Sequence, residues 1–251
     1  QKKTGLPSSG NHETVLRQDL SGLPDFLLQF TGDSKLVFGL NTQLTSYSEL
    51  KVDISSSDYI DKWVHIAGYL DVSTSYSYLY VNGVKVGDNN DHSGDATYTE
   101  NYKLRIGNSP HDNESEFFDG LIDEVALWND QLTDEEITAL YNGGAGLSAA
   151  TNAGNYTSSA DLKGYWQFDE GSGATATDAS SNSNAGTISG ATWSTDSPIP
   201  GNTPNHILEI TGIWPNVTDL VIEADDGRVD GKVSLTTKVI VAGGLLGLDQ
   251  N

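Results

Sequence analysis

Asp178, Asn182 and Asn184 alternate within one polar run, D-A-S-S-N-S-N at 178–184. A backbone curled through such a run aims several oxygens at one point, and hard cations bind through carboxylate, amide and carbonyl oxygens. The spacing therefore suggests a structural calcium ion, with Asp123 the carboxylate best placed to join the three loop residues. Local chemistry competes for the same groups. Asp and Asn side chains also bond their own backbone in Asx turns, and Asp123 could instead pair with Arg105 or with backbone N–H groups. Asp88-Asn89-Asn90-Asp91 with Asp95 is a second oxygen-rich loop. Neither loop fits the EF-hand pattern.

Catalytic arrangements are harder to find. Glycoside hydrolysis needs two carboxylates about 5–10 Å apart across a sugar, which on a strand means positions two apart on one face. The clustered acids, Asp123-Glu124 and Asp169-Glu170, are adjacent and point to opposite faces of an extended chain. No G-x-S-x-G elbow accompanies the five scattered histidines, so a nucleophilic triad is unsupported. His65 is expected to be a hydrogen-bonded core residue, and the chain is not expected to be an enzyme.

Aromatic residues offer a different chemistry. Sugar sites pair Trp or Tyr rings with nearby polar groups, and Tyr69, Tyr76, Tyr78 and Tyr80 fall on two neighbouring strand-like runs. With Leu79 and Val81 facing a core, Tyr78 and Tyr80 would line the outer face and bind a ligand. Cross-strand packing accounts for the same stripe.

The elements that position these groups carry three ordered motifs. They are W-V-H-I-A at 63–67, a hairpin reading L-Y-V-N-G at 79–83, and F-D-G-L-I-D-E-V-A-L-W at 118–128 followed by a short helix. In this combination the chain resembles the laminin-G-like, concanavalin-A-like jelly-roll family over roughly residues 10–198. The resemblance implies an all-β fold: a two-sheet antiparallel jelly-roll sandwich with one short helix. It also implies an extracellular or cell-surface setting, with glycan binding, adhesion to a surface or matrix component, or structural spacing as uses. Trp63, Trp128, Trp166 and Trp193 fall inside family motifs and are expected in the core.

Local signals agree. Asn82-Gly83 is a hairpin turn, because both positions tolerate positive φ. Thr133 and Glu136 form a capping box for a helix ending at Gly143 or Gly144. Residues 1–14 read as a loop or frayed strand. The G-Y-W-Q-F-D-E-G-S-G run at 164–173 commonly opens such a jelly roll, yet here it follows the closing helix. Residues 160–198 are therefore expected to fold back and complete one sandwich over 1–198. Residues 199–206 read as a linker, and 207–251 as a small β segment or part of an immunoglobulin-like domain. Within the latter, 232–242 is apolar enough to seek a strand partner, in this chain or another. This leaves a structural subunit of a filament or repeat array as the alternative function.

Composition narrows the partners. Thirteen basic residues against 35 acidic ones give a net charge of −22, the wrong sign for nucleic acid. No apolar run approaches the length of a membrane helix, so no membrane insertion is expected. Cysteine and methionine are both absent. With Gln1 first, a processed or longer parent chain is expected.

Overall fold

The computed structural model describes residues 6–20, 23–43, 46–60, 62–71, 74–90, 104–109, 116–194, 207–210, 221–222 and 244–245. Its strands follow in chain order as β1 (His12–Leu20), β2 (Leu23–Thr31), β3 (Lys35–Gln43), β4 (Ser46–Asp53), β5 (Ile66–Asp71), β6 (Tyr76–Val81) and β7 (Val84–Asn89). Next come β8 (Leu104–Ile106), β9 (Gly120–Ile122), β10 (Val125–Trp128), β11 (Leu162–Trp166), β12 (Thr175–Ala176), β13 (Gly186–Thr187) and β14 (Thr192–Ser194). The short β15 (Ile207–Ile210), β16 (Val221–Ile222) and β17 (Gly244–Leu245) end the series. A helical turn, α1 (Ser56–Tyr59), lies between β4 and β5, and α2 (Asp134–Tyr141) between β10 and β11.

One sheet has eight strands in the order β12-β13-β16-β8-β1-β2-β3-β4. Facing it are β5-β6-β7, the pair β10-β11, and β14-β15-β9-β17. The main core fills the space between. Leu16, Phe30, Phe38 and Ile106 come from the large sheet, and Ile66, Leu70, Leu79, Val125 and Trp166 from the opposite layer. Gly68 marks the closest approach, since a Cβ there would lie 2.9 Å from the Phe38 ring. The fold is thus mostly β, antiparallel and sandwich-like.

A third layer makes the opposite sheet unusual. Ala67, Tyr69, Tyr80, Ala126, Trp128 and Tyr165 face away from the main core, and Ile137 and Leu140 of α2 pack on them with Ala149 and Tyr156. Both faces of β5 and β11 are therefore buried, which is why their sequences lack the apolar–polar alternation of a half-solvated strand. The Asn82-Gly83 turn has φ of 51° and 75°. It touches α2, where the Thr138 hydroxyl donates to the Gly83 carbonyl at 3.1 Å.

Residues 162–194 enter the same structure. β11 pairs with β10 in the register Val125↔Trp166. Trp166 and Phe168 lie in the main core, while Tyr165 turns to the second. The Trp166 ring folds over Gly164, where a Cβ would meet it at 2.3 Å, and its indole N–H donates to the Asn184 carbonyl at 2.8 Å. Beyond residue 206, β15 pairs with β14 and β9, β16 with β13 and β8, and β17 with β9. These pairings join the sandwich strands. The linker at 199–206 and the apolar stretch at 232–242 lie outside the described residues.

Two local expectations need correction. Residues 12–20 form a strand inside the large sheet, between β2 and β8, because Val15 and Leu16 have core contacts that no local pattern reveals. The helix ends on Asn142, in the left-handed conformation at φ 49°, one residue before the glycines. Asn is among the few non-glycine residues that adopt it readily.

Candidate functional site

The tyrosines form a ladder across β5 and β6. Tyr69 and Tyr78 are cross-strand neighbours in the pairing of these strands, with ring centroids 4.7 Å apart. Tyr76 stacks on Tyr78 at 5.8 Å, and Tyr69 on Tyr80 at 5.9 Å. The two ends differ. Tyr80 is 1% exposed beneath α2, and its hydroxyl donates to Asp134 at 2.6 Å. The Tyr69 hydroxyl accepts from the Gln131 amide at 2.9 Å. Tyr80 therefore presents no ring face to a ligand, contrary to its expected place on an open outer face. Its neighbours are the first turn of a helix more than fifty positions away in sequence.

Tyr76 and Tyr78 lie beyond the helix and are only half-buried. The Lys85 ammonium sits 5.2 Å from the Tyr78 ring centroid, within the reach of a cation–π contact, and 3.9 Å from Asp88. The Tyr78 hydroxyl bonds Thr74, with the carboxylates of Asp71 and Asp88 close enough to act on it. Burial first, and then these carboxylates, push the phenol above its ordinary value against the Thr74 bond. Two partly exposed rings rimmed by Thr74, Asp71, Asp88 and Lys85 make a platform able to stack an apolar ring face and bond hydroxyls at its edge. Tyr76 and Lys85 complete this site. Tyr76 is legible from the Y-x-Y-x-Y alternation, and Lys85 from the hairpin register that opposes it to Tyr80.

The Asp178 loop has a different character. Asp178 Oδ1 accepts from the backbone N–H of Tyr165 and of Ser180, each at 2.8 Å. Oδ2 accepts from the Ser180 hydroxyl at 2.8 Å and the Asn184 N–H at 2.7 Å. The side-chain amides of Asn182 and Asn184 donate to the carbonyls of Leu162 and Lys163, both at 2.8 Å. A carboxylate offers about four lone-pair directions, and here N–H and O–H donors take them all. Asp178, Asn182 and Asn184 are brought together as expected, but as a buckle fastening 178–184 to β11. This donor set does not fit a calcium ion. Asp123 is 1% exposed, between β9 and β10. Among the described residues no three His, Asp or Glu gather as metal ligands.

Two further ionisable groups, Glu124 and His65, are half-buried and have no assigned role. Glu124 has φ 56° and accepts from the Tyr165 hydroxyl. Burial pushes its carboxyl up to about 7, against the pull of that bond and aided by Asp169. His65 packs 5.9 Å from Tyr141, and burial pushes its imidazole down to about 4. Its backbone N–H donates to Asn82 Oδ1 at 2.9 Å, yet neither ring nitrogen has a partner among the described residues. The expected hydrogen bond to the ring is missing.

These two groups give pH dependences of opposite sign. Folded Glu124 keeps its proton to about pH 7 while the unfolded chain releases it near 4.5, so stability falls as pH rises between them. His65 stays neutral in the fold down to about 4 while the unfolded chain protonates near 6.5, so stability falls as pH drops between those values. Glu124→Gln mimics the protonated acid. It should raise stability by about 2–3 kcal/mol at about pH 8 and change it little near pH 5. Denaturant titrations at the two pH values check this, and an equal effect at both would refute it.

The family comparison agrees with the architecture. The family model described as the concanavalin A-like lectin/glucanases superfamily, of laminin-G type, matches residues 6–138. Among solved structures, a Bacteroides ovatus protein described as a candidate carbohydrate binding protein is similar at 15% identity and TM-score 0.48. The similarity covers 89% of this chain and 53% of the other, so the chain spans about half of that protein's length. No curated protein sequence matches. On the family match and the layered β-sandwich together, the chain belongs to the laminin-G type of the concanavalin A-like lectin/glucanases superfamily.

Proposed function

We propose that this chain is a non-catalytic carbohydrate-binding module of an extracellular or cell-surface protein, and that Tyr76 and Tyr78 carry the binding. The observation supporting this reading is the two-ended tyrosine ladder. Tyr69 and Tyr80 are fixed under α2, while Tyr76 and Tyr78 run past the helix to a rim of Thr74, Asp71, Asp88 and Lys85. The anchored rings hold the free pair in place before a ligand arrives, which lowers the ordering cost of binding.

A glycan array with the intact chain tests the reading, with Tyr78→Ala as the matched control. Binding that weakens about tenfold or more in the variant, the equivalent of about 1.4 kcal/mol, supports the assignment. Absence of binding to any glycan overturns it. Hydrolysis is a second reading with one observation behind it: Glu124, protonated near neutral pH, interacts with Asp169, and catalytic pairs often combine a protonated and an ionised carboxyl. Against it, the Glu124 carboxylate is occupied by the Tyr165 hydroxyl. Reducing ends released by the wild type and lost in Glu124→Gln would replace the non-catalytic reading.

A further inference from the structure

The surroundings of the tyrosine platform bear on which glycans it takes. We infer that the Tyr76–Tyr78 platform selects uncharged glycans and turns away polyuronates and sulfated chains. The inference rests on the function proposed above and specifies its ligand class.

A cation is present at the site, but its charge is already engaged. Lys85 lies over the Tyr78 ring at 5.2 Å and 3.9 Å from Asp88. Asp71 and Asp88 both act on the Tyr78 phenol, so two carboxylates and one ammonium rim the rings. An anionic sugar would have to draw Lys85 from Asp88 and leave that carboxylate facing it. Like charges brought together in this way cost affinity and select against the wrong partner. The whole chain, at −22, adds long-range repulsion of any polyanion, strongest at low salt. An uncharged sugar meets neither obstacle. Its apolar ring face can stack on tyrosine, and its hydroxyls can donate to Asp71 and Asp88 and bond Thr74. Lys85 then acts as a support that steadies the Tyr78 ring and makes no direct salt link.

Affinity electrophoresis of the intact chain separates the possibilities, using an uncharged β-glucan, an uncharged mannan, alginate as a polyuronate and a sulfated galactan. Retardation by an uncharged polymer is expected, with little change between low and high salt. Tyr78→Ala should weaken it about tenfold or more and Tyr78→Phe less than about threefold. Lys85→Gln loosens the Tyr78 ring and should weaken retardation to the same extent in low and high salt, because no charge on the ligand depends on it. Should Tyr78→Ala lower the melting temperature strongly, Tyr76→Ser at the open end of the ladder replaces it. Retardation by alginate or the sulfated polymer, lost in Lys85→Gln and in high salt, overturns the inference while leaving carbohydrate binding intact. Retardation by none of the polymers overturns both.

Discussion

Ending the chain after residue 160 should leave residues 6–138 unable to fold, although they hold the whole stretch matched to the family. The truncation removes β11 and opens the edge of β10, whose backbone groups from Val125 to Trp128 are paired to it. Trp166 and Phe168, at 1% and 0% exposure, leave the main core, and Tyr165 leaves the second. Removing a large buried aromatic costs about 3–5 kcal/mol, and the stability of a whole domain is about 5–15 kcal/mol. Three such losses consume most of that margin before the exposed edge is counted. The measurement is circular dichroism and denaturant unfolding of a 1–160 fragment beside the full chain. A soluble fragment with a cooperative transition would show that 162–194 belongs to a unit of its own.

How far such contacts can be read from sequence depends on how local they are. The capping box at Thr133 and Glu136 spans four residues, and the structure contains both of its bonds, at 3.2 and 3.0 Å. The other oxygen of Glu136 was not legible. It accepts from the Thr157 N–H and the hydroxyls of Thr157 and Ser158. Burial raises the Glu136 carboxyl, but the Ser158, Thr133 and Thr157 bonds outweigh it and hold the group below its usual range. A single residue thus caps a helix and ties it to a loop about twenty positions later. Tyr80 fails for the same reason. The alternation correctly put it on the face opposite Leu79, but only the docking of α2 decides that this face is dry. At 123–124 the adjacent carboxylates required one buried acid. Asp123 is that acid, and the positive φ at Glu124 tucks the second against Tyr165, a backbone state that no strand pattern anticipates.

Calcium poses the sharpest case, since one composition serves a cation site and a hydrogen-bonded loop equally well. Asp178→Ala should destabilise the chain by about 4 kcal/mol, to the same extent in calcium and in chelator. Four donors lose their acceptor, and two of them, the N–H groups of Tyr165 and Asn184, are in buried bonds. A buried donor left unsatisfied costs about 1–3 kcal/mol, and bonds to a charged acceptor lie at the stronger end. Asp178→Asn retains one carbonyl oxygen and should fall between the two. A bound ion would behave differently, because a ligand held only by the native state raises its stability with concentration. Thermal melts of the three proteins, each with calcium and with chelator, distinguish the accounts. Wild type unmoved by chelator and a large loss in Asp178→Ala fit the buckle. A wild-type melting temperature that drops on chelation, with no such drop in Asp178→Ala, would restore the cation.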